Sequence, residues 1–155
     1  RARHHEQCAN PKKRTAVRRV PTVPLQVVLG EWLAWPGYSG WTIDLLKVDA
    51  QGYDLDVVKS AGTLIHRILR VQLEVPGDAC EQMYVGSPHC SEIVVSMAAL
   101  GFQAAYSRIC NDFVGRCYED DWEFVREGIL PLHDGVLPQG DECWVPIDSE
   151  MRARC

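Results

Sequence analysis

Asp49, Gln51 and Gly52 stand together directly after an apolar run, and a second carboxylate, Glu74, closes the next apolar run. Such a carboxylate can take a proton from a hydroxyl as that oxygen attacks an electrophile. The same aspartate, placed before a helix, can also satisfy first-turn N–H groups, and the two roles are compatible. Other chemistries find no support in the spacing. His4, His5, His66, His89 and His133 form neither a metal-ligand pattern nor a triad pattern, and His66 reads as a cation late in a helix. Ser87 and Ser91 lack the elbow motif of a nucleophilic serine, so hydrolase chemistry has no support.

The elements that must position these residues form one parallel-sheet unit. Ile43, Leu45, Leu46 and Val48 make a nearly continuous apolar run, as in a strand covered on both faces. A polar turn at Asp49, Gln51 and Gly52 opens a helix at Tyr53. Leu55, Val58 and Ala61 recur at helical spacing before Gly62 as a C-terminal stop. A second strand follows from Ile68 to Val75. Ligands of open α/β sheets sit outside the carboxyl ends of the strands, which puts Asp49 and Gln51 at the functional rim.

The stretch LLKVDAQGYDLDVVKSAG, with LEV closing the next strand, resembles the signature of FkbM-type methyltransferases, K-I-D-x-E-G-x-E followed by a helix. Lys47, Asp49 and Gly52 match that pattern. Gln51 stands where the family has Glu, and Asp54 replaces the later Glu conservatively. The resemblance covers residues 17–126. It implies an α/β fold, the second half of a Rossmann-like class I methyltransferase sheet, with parallel strands and helices ending in an antiparallel hairpin. It further implies S-adenosylmethionine as cofactor and O-methylation of a small molecule or sugar hydroxyl. Asp49, Gln51 and Glu74 would then be the catalytic-site residues, the first two beside the methyl acceptor and Glu74 shaping the pocket.

The cofactor half of such a domain needs a Gly-rich turn after its first strand and an acidic residue after its second. Neither arrangement occurs upstream of Ile43. By the resemblance, this chain is a fragment lacking the main cofactor-binding half, and this segment alone is expected to be inactive. The strand from Ile43 to Asp49 would then keep an open edge. That edge calls for Thr15 to Val20, a second chain or the missing N-terminal half to cover it.

The remaining chain divides into a basic arm (1–14), the partial domain (15–127) and a poorly ordered tail (128–155) with Trp144 and Val145 as docking points. Pro24 opens a short helix through Trp32 or Leu33. The stretch from Trp35 to Trp41 reads as an aromatic loop, more as packing than as a pocket mouth. Residues 84–90 form a loop at the same sheet edge as Asp49. Ser91 is the expected N-cap of a helix over residues 92–100. Phe102 to Ile109 and Trp122 to Arg126 are strands joined by a loop that carries Cys110 and Cys117.

Composition is that of a globular domain, with 46% hydrophobic and 24% charged residues in 155 and a net charge of -5. No apolar run approaches the roughly 20 residues of a membrane span. Of 16 basic and 21 acidic residues, seven and one fall in the first 19 positions. The bland reading of that asymmetry is a solvated terminus; an anionic membrane or nucleic acid is the alternative. No aromatic interleaves with these charges, so no nucleic-acid partner is assigned. Seven cysteines without a C-x-x-C pair argue against zinc and favour local disulfides, Cys80–Cys90 and Cys110–Cys117, with reduced, partly buried cysteines as the alternative. Disulfides would favour a secretory or extracellular setting, with a cytoplasmic one as the alternative. The competing functional reading is a non-catalytic, methyltransferase-like binding or structural domain of a secretory compartment, favoured by Gln51 and the cysteines.

Overall fold

The computed structural model describes residues 19–76, 84, 86–108, 119–132 and 144–147. Its elements are helix α1 (Leu25–Ala34), strand β1 (Ile43–Lys47), helix α2 (Asp54–Lys59), a 3-10 helix (Gly62–Arg67) and strand β2 (Ile68–Pro76). Helix α3 (Cys90–Ala99) and strands β3 (Phe102–Arg108), β4 (Glu119–Arg126) and β5 (Trp144–Pro146) follow. The architecture is α/β, with one five-stranded mixed sheet in the order β1-β2-β4-β3-β5. Only β1 and β2 run parallel; the β2–β4, β4–β3 and β3–β5 pairs are antiparallel. Among the described residues no helix is long and apolar enough to cross a membrane.

Period-two alternation decides which side of the sheet carries the core. On β2, Val71, Leu73 and Val75 are buried and face Phe124 and Trp122 of β4 through the register Val71↔Phe124 and Leu73↔Trp122. Phe102 and Ala104 of β3 extend this apolar layer. Ile93 and Met97 of α3, with Leu55 and Val58 of α2, complete the cluster. Each such side chain contributes about 1.5–3 kcal/mol by leaving water. Residues in the alternate positions carry charge. Arg70 lies 3.9 Å from the fully buried Glu123, and Asp121 sits 3.8 Å from Lys47 and 3.7 Å from Arg108. Lys47 thus takes part in an ion pair across the sheet.

Arg126, at the end of β4, fastens three elements by donating to the Ile68 carbonyl (2.7 Å), the Ile65 carbonyl (2.5 Å) and the Leu100 carbonyl (3.4 Å). Its guanidinium also stacks on Phe102, 4.3 Å from the ring centroid.

The boundaries differ from expectation for local reasons. The helix after β1 is split: α2 ends at Lys59, and Gly62, at φ 54°, starts a 3-10 turn that runs directly into β2. Pro24 is the N-cap of α1 rather than its first residue. Ser91 does not cap α3. His89 does, because the Ile93 N–H donates to the His89 carbonyl at 3.0 Å, which brings Cys90, Ile93 and Met97 onto the buried face. β4 begins three residues before the expected Trp122. Trp144 and Val145 pair with Arg108 and Ser107 as strand β5, and Ile147 joins the core. Arg19 and Val20 are not in a strand; Thr15 to Arg18, like the arm 1–14, lie outside the described residues.

Candidate functional site at the carboxyl end of the first strand

The chain leaves the sheet after Lys47, and Val48 makes the last ladder-like bond, from its N–H to the Gln72 carbonyl at 2.8 Å. Asp49, Ala50, Gln51 and Gly52 then turn back into α2. Gln51 adopts φ 53° and Gly52 φ 94°, two consecutive residues in left-handed conformation. That conformation is costly for glutamine, of order 1–3 kcal/mol, and persists only where neighbours hold it. Asp54 supplies the hold. Its buried carboxylate accepts the Ala50 N–H on Oδ1 and the Gly52 N–H on Oδ2, both at 3.1 Å.

Asp49 is therefore not the cap of the turn. It is exposed and accepts a hydrogen bond from Gln51 Nε2 at 2.9 Å. On its other atom, Gln51 Oε1 accepts from the Tyr84 hydroxyl. Asp49, Gln51 and Tyr84 form a polar row at the solvent-facing rim of the turn. Behind that row Gly52, Asp54, Glu74, Pro76, Ser87, Pro88 and Ile93 line a shallow recess of about 10 Å³, room for roughly a single water. Of the three residues singled out from sequence, the structure links Asp49 to Gln51 directly and puts Glu74 in the recess. The loop carrying Tyr84 and Ser87 comes to the edge expected for it. The bracing role of Asp54 and the contact between Tyr84 and Gln51 were not read from the sequence; the signal for Asp54 was its place at the later acidic position of the K-I-D-x-E-G-x-E pattern.

Gly52 is required sterically as well as conformationally. A Cβ there would stand 2.8 Å from Tyr84 Cβ and 3.2 Å from Ser87 Cβ. The α2 turn and the loop after β2 touch backbone to side chain only because this position has no side chain.

Among the described residues no group of three His, Cys, Asp or Glu side chains is placed to hold a metal ion. Cys90, fully buried at the start of α3, is held in a disulfide. Cys80, Cys110 and Cys117, named in the expected pairings, lie outside the described residues.

No protein-family model, no curated protein and no solved structure matches the chain.

Proposed function

We propose that the chain is the acceptor-side half of an S-adenosylmethionine-dependent O-methyltransferase of FkbM type, acting on a small-molecule or glycan hydroxyl. The observation that carries this reading is the left-handed Gln51–Gly52 turn at the carboxyl end of β1, braced by Asp54 and presenting Asp49, Gln51 and Tyr84 to solvent. Backbone strain concentrated at one rim of a sheet, beside polar side chains, is a mark of a site rather than of a scaffold turn. The parallel β1–β2 pair and the antiparallel β3–β4 hairpin on the far side from β1 are consistent with the second half of a Rossmann-like methyltransferase sheet.

In this reading Asp49 accepts the proton of the acceptor hydroxyl, while Gln51 and Tyr84 orient that hydroxyl. The residues present do not fit the cofactor itself. The recess, at about 10 Å³, is far smaller than the roughly 300–1,000 Å³ of an ordinary ligand pocket, and the sequence has no Gly-rich turn between a strand and a helix. The cofactor contacts are therefore assigned to a segment outside this chain, against the edge of β1 that no strand among the described residues covers.

Calorimetric titration with S-adenosylmethionine tests both parts. This chain alone is expected to show no binding. Together with the polypeptide encoded upstream, it is expected to bind the cofactor and to release S-adenosylhomocysteine when a hydroxyl acceptor is supplied. Binding by this chain alone would overturn the half-domain reading. An upstream polypeptide without a Gly-rich turn would overturn the enzyme reading.

The second reading, a non-catalytic domain of a secretory compartment, draws on the Cys90 disulfide and on Gln51 in place of a carboxylate. It predicts an intact fold and no methyl transfer even with the upstream polypeptide present.

A further inference from the structure

Seven of the eleven large hydrophobic side chains that the described residues expose fall between positions 20 and 41: Val20, Val23, Val27, Trp32, Trp35, Tyr38 and Trp41. Over the same 22 positions the sequence holds a single charged residue, Glu31. The four aromatics recur every third residue, and the backbone explains why they stay together. Beyond α1 the chain continues as linked turns, with Trp35 N–H on the Trp32 carbonyl (3.2 Å), Tyr38 N–H on the Trp35 carbonyl (3.0 Å) and Trp41 N–H on the Tyr38 carbonyl (2.9 Å). Trp35 and Tyr38 meet edge to face at 6.4 Å, and Tyr38 and Trp41 lie 4.6 Å apart. The strip is held to the body by Arg67, which donates to the Ser39 carbonyl at 2.7 Å and to the Trp41 carbonyl at 2.8 Å. Yet Trp32, Trp35 and Trp41 remain 57–59% exposed. Packing of the aromatic loop onto the sheet, the simpler expectation, does not account for rings fixed in place and left in water.

We propose that this strip is a peripheral docking surface for an anionic lipid bilayer. Tryptophan and tyrosine combine an apolar body with a polar N–H or O–H and partition to the headgroup boundary, where both ends are satisfied. Valines on the exposed side of the same segment add apolar area without a charge to desolvate. Charge complementarity selects the partner. Lys12, Lys13, Arg14, Arg18 and Arg19 immediately precede the strip, and a polybasic run next to interfacial aromatics is drawn to negatively charged headgroups. The acidic excess of the chain lies elsewhere in the sequence, beyond residue 41. The surface lies on the membrane and does not span it, since α1 has ten residues. This inference does not depend on the methyltransferase reading.

The test is co-sedimentation of the whole chain with vesicles of phosphatidylcholine alone and of phosphatidylcholine with phosphatidylserine, with tryptophan emission followed in parallel. Trp122 is buried in the core, so a blue shift and protection from acrylamide quenching report mainly on the strip. Binding is expected only to the serine-lipid vesicles and is expected to fall sharply at about 0.5 M salt, where exposed charges are screened. The double variant Trp35→Ser/Trp41→Ser should keep its thermal transition, both residues being exposed, and bind about tenfold or more weakly, since each ring forfeits its burial in the interface. Arg18→Gln/Arg19→Gln should weaken binding to serine-lipid vesicles. Absence of vesicle binding, or binding indifferent to the tryptophan pair, would overturn the proposal. So would concentration-dependent self-association that the tryptophan variant abolishes without any vesicle binding, which would make the strip a face between copies of the chain. Binding of polyanions such as nucleic acid in place of vesicles would overturn it as well.

Discussion

Asp54 braces Gly52: one carboxylate oxygen takes the Gly52 N–H and the other takes the Ala50 N–H, each at 3.1 Å, from a side chain only 4% exposed. The carboxylate matches two donors at once, which an amide cannot do. In Asp54→Asn one of the two N–H groups would face an NH₂ instead of an acceptor. The expected loss is about 1.5–3 kcal/mol, the range for a hydrogen bond to a charged group. Urea denaturation of the chain measures it, and an unchanged midpoint would show that the brace contributes nothing.

Gly52→Ala asks for a side chain at φ 94° and 2.8 Å from Tyr84 Cβ. The conformational strain alone costs about 1–3 kcal/mol, and the loop bearing Tyr84 must withdraw. The expected signature is a lowered thermal midpoint together with loss of the Tyr84 contact to Gln51, seen as a changed tyrosine environment in near-ultraviolet circular dichroism. A midpoint equal to that of the parent chain would contradict the steric argument.

Arg126→Met keeps much of the side-chain volume but abandons the Ile68, Ile65 and Leu100 carbonyls and the stacking on Phe102. A destabilisation of about 2–4 kcal/mol is expected. Arg126→Lys should fall between the two, because one ammonium cannot span three carbonyls. Hydrogen exchange should show the start of β2 and the end of α3 opening together in the methionine variant.

Asp120, opposite Val75 on β4, has its carboxyl pushed above the ordinary aspartate range by burial and, secondarily, by the neighbouring Asp121. A carboxyl with a raised native pKa binds a proton more readily folded than unfolded. Its contribution is therefore most favourable at low pH and is lost as pH rises through the native value. Asp120→Asn is expected to be more stable than the parent at neutral pH. That advantage should disappear as pH falls below the ordinary aspartate range. Stability curves of the two proteins that stay parallel across this window would refute the assignment.

Much of the unit that carries the candidate site could be read in advance because its signals are local. The apolar run of β1, the Asp-x-Gln-Gly turn and the long apolar β2 need only periodicity and turn chemistry. Other features are settled by partners distant in sequence. Glu119, Asp120 and Asp121 look like loop residues, since aspartate is disfavoured in strands, yet they pair with Pro76, Val75 and Glu74 and extend β4. The row of Asp49, Gln51 and Tyr84 depends on the loop after β2 folding back against Gly52, a contact 33 positions apart for Gln51 and Tyr84. Ser91 has the chemistry of a cap and is passed over because burial of Cys90, Ile93 and Met97 fixes the helix start two residues earlier.

The placement of β4 between β2 and β3 also dictates an order of assembly. Both neighbours are synthesised before the strand that joins them, so β3 has no sheet to enter until residues 119–126 exist. A chain growing from the ribosome can form the β1–α2–β2 unit early, but β2 then waits with an apolar edge for a partner some fifty residues later, and such waiting edges invite association between chains. Chains ending before Glu119 should accumulate as aggregates, whereas those extending past Arg126 should escape that fate. In this protein the last long strand to be made works as a keystone.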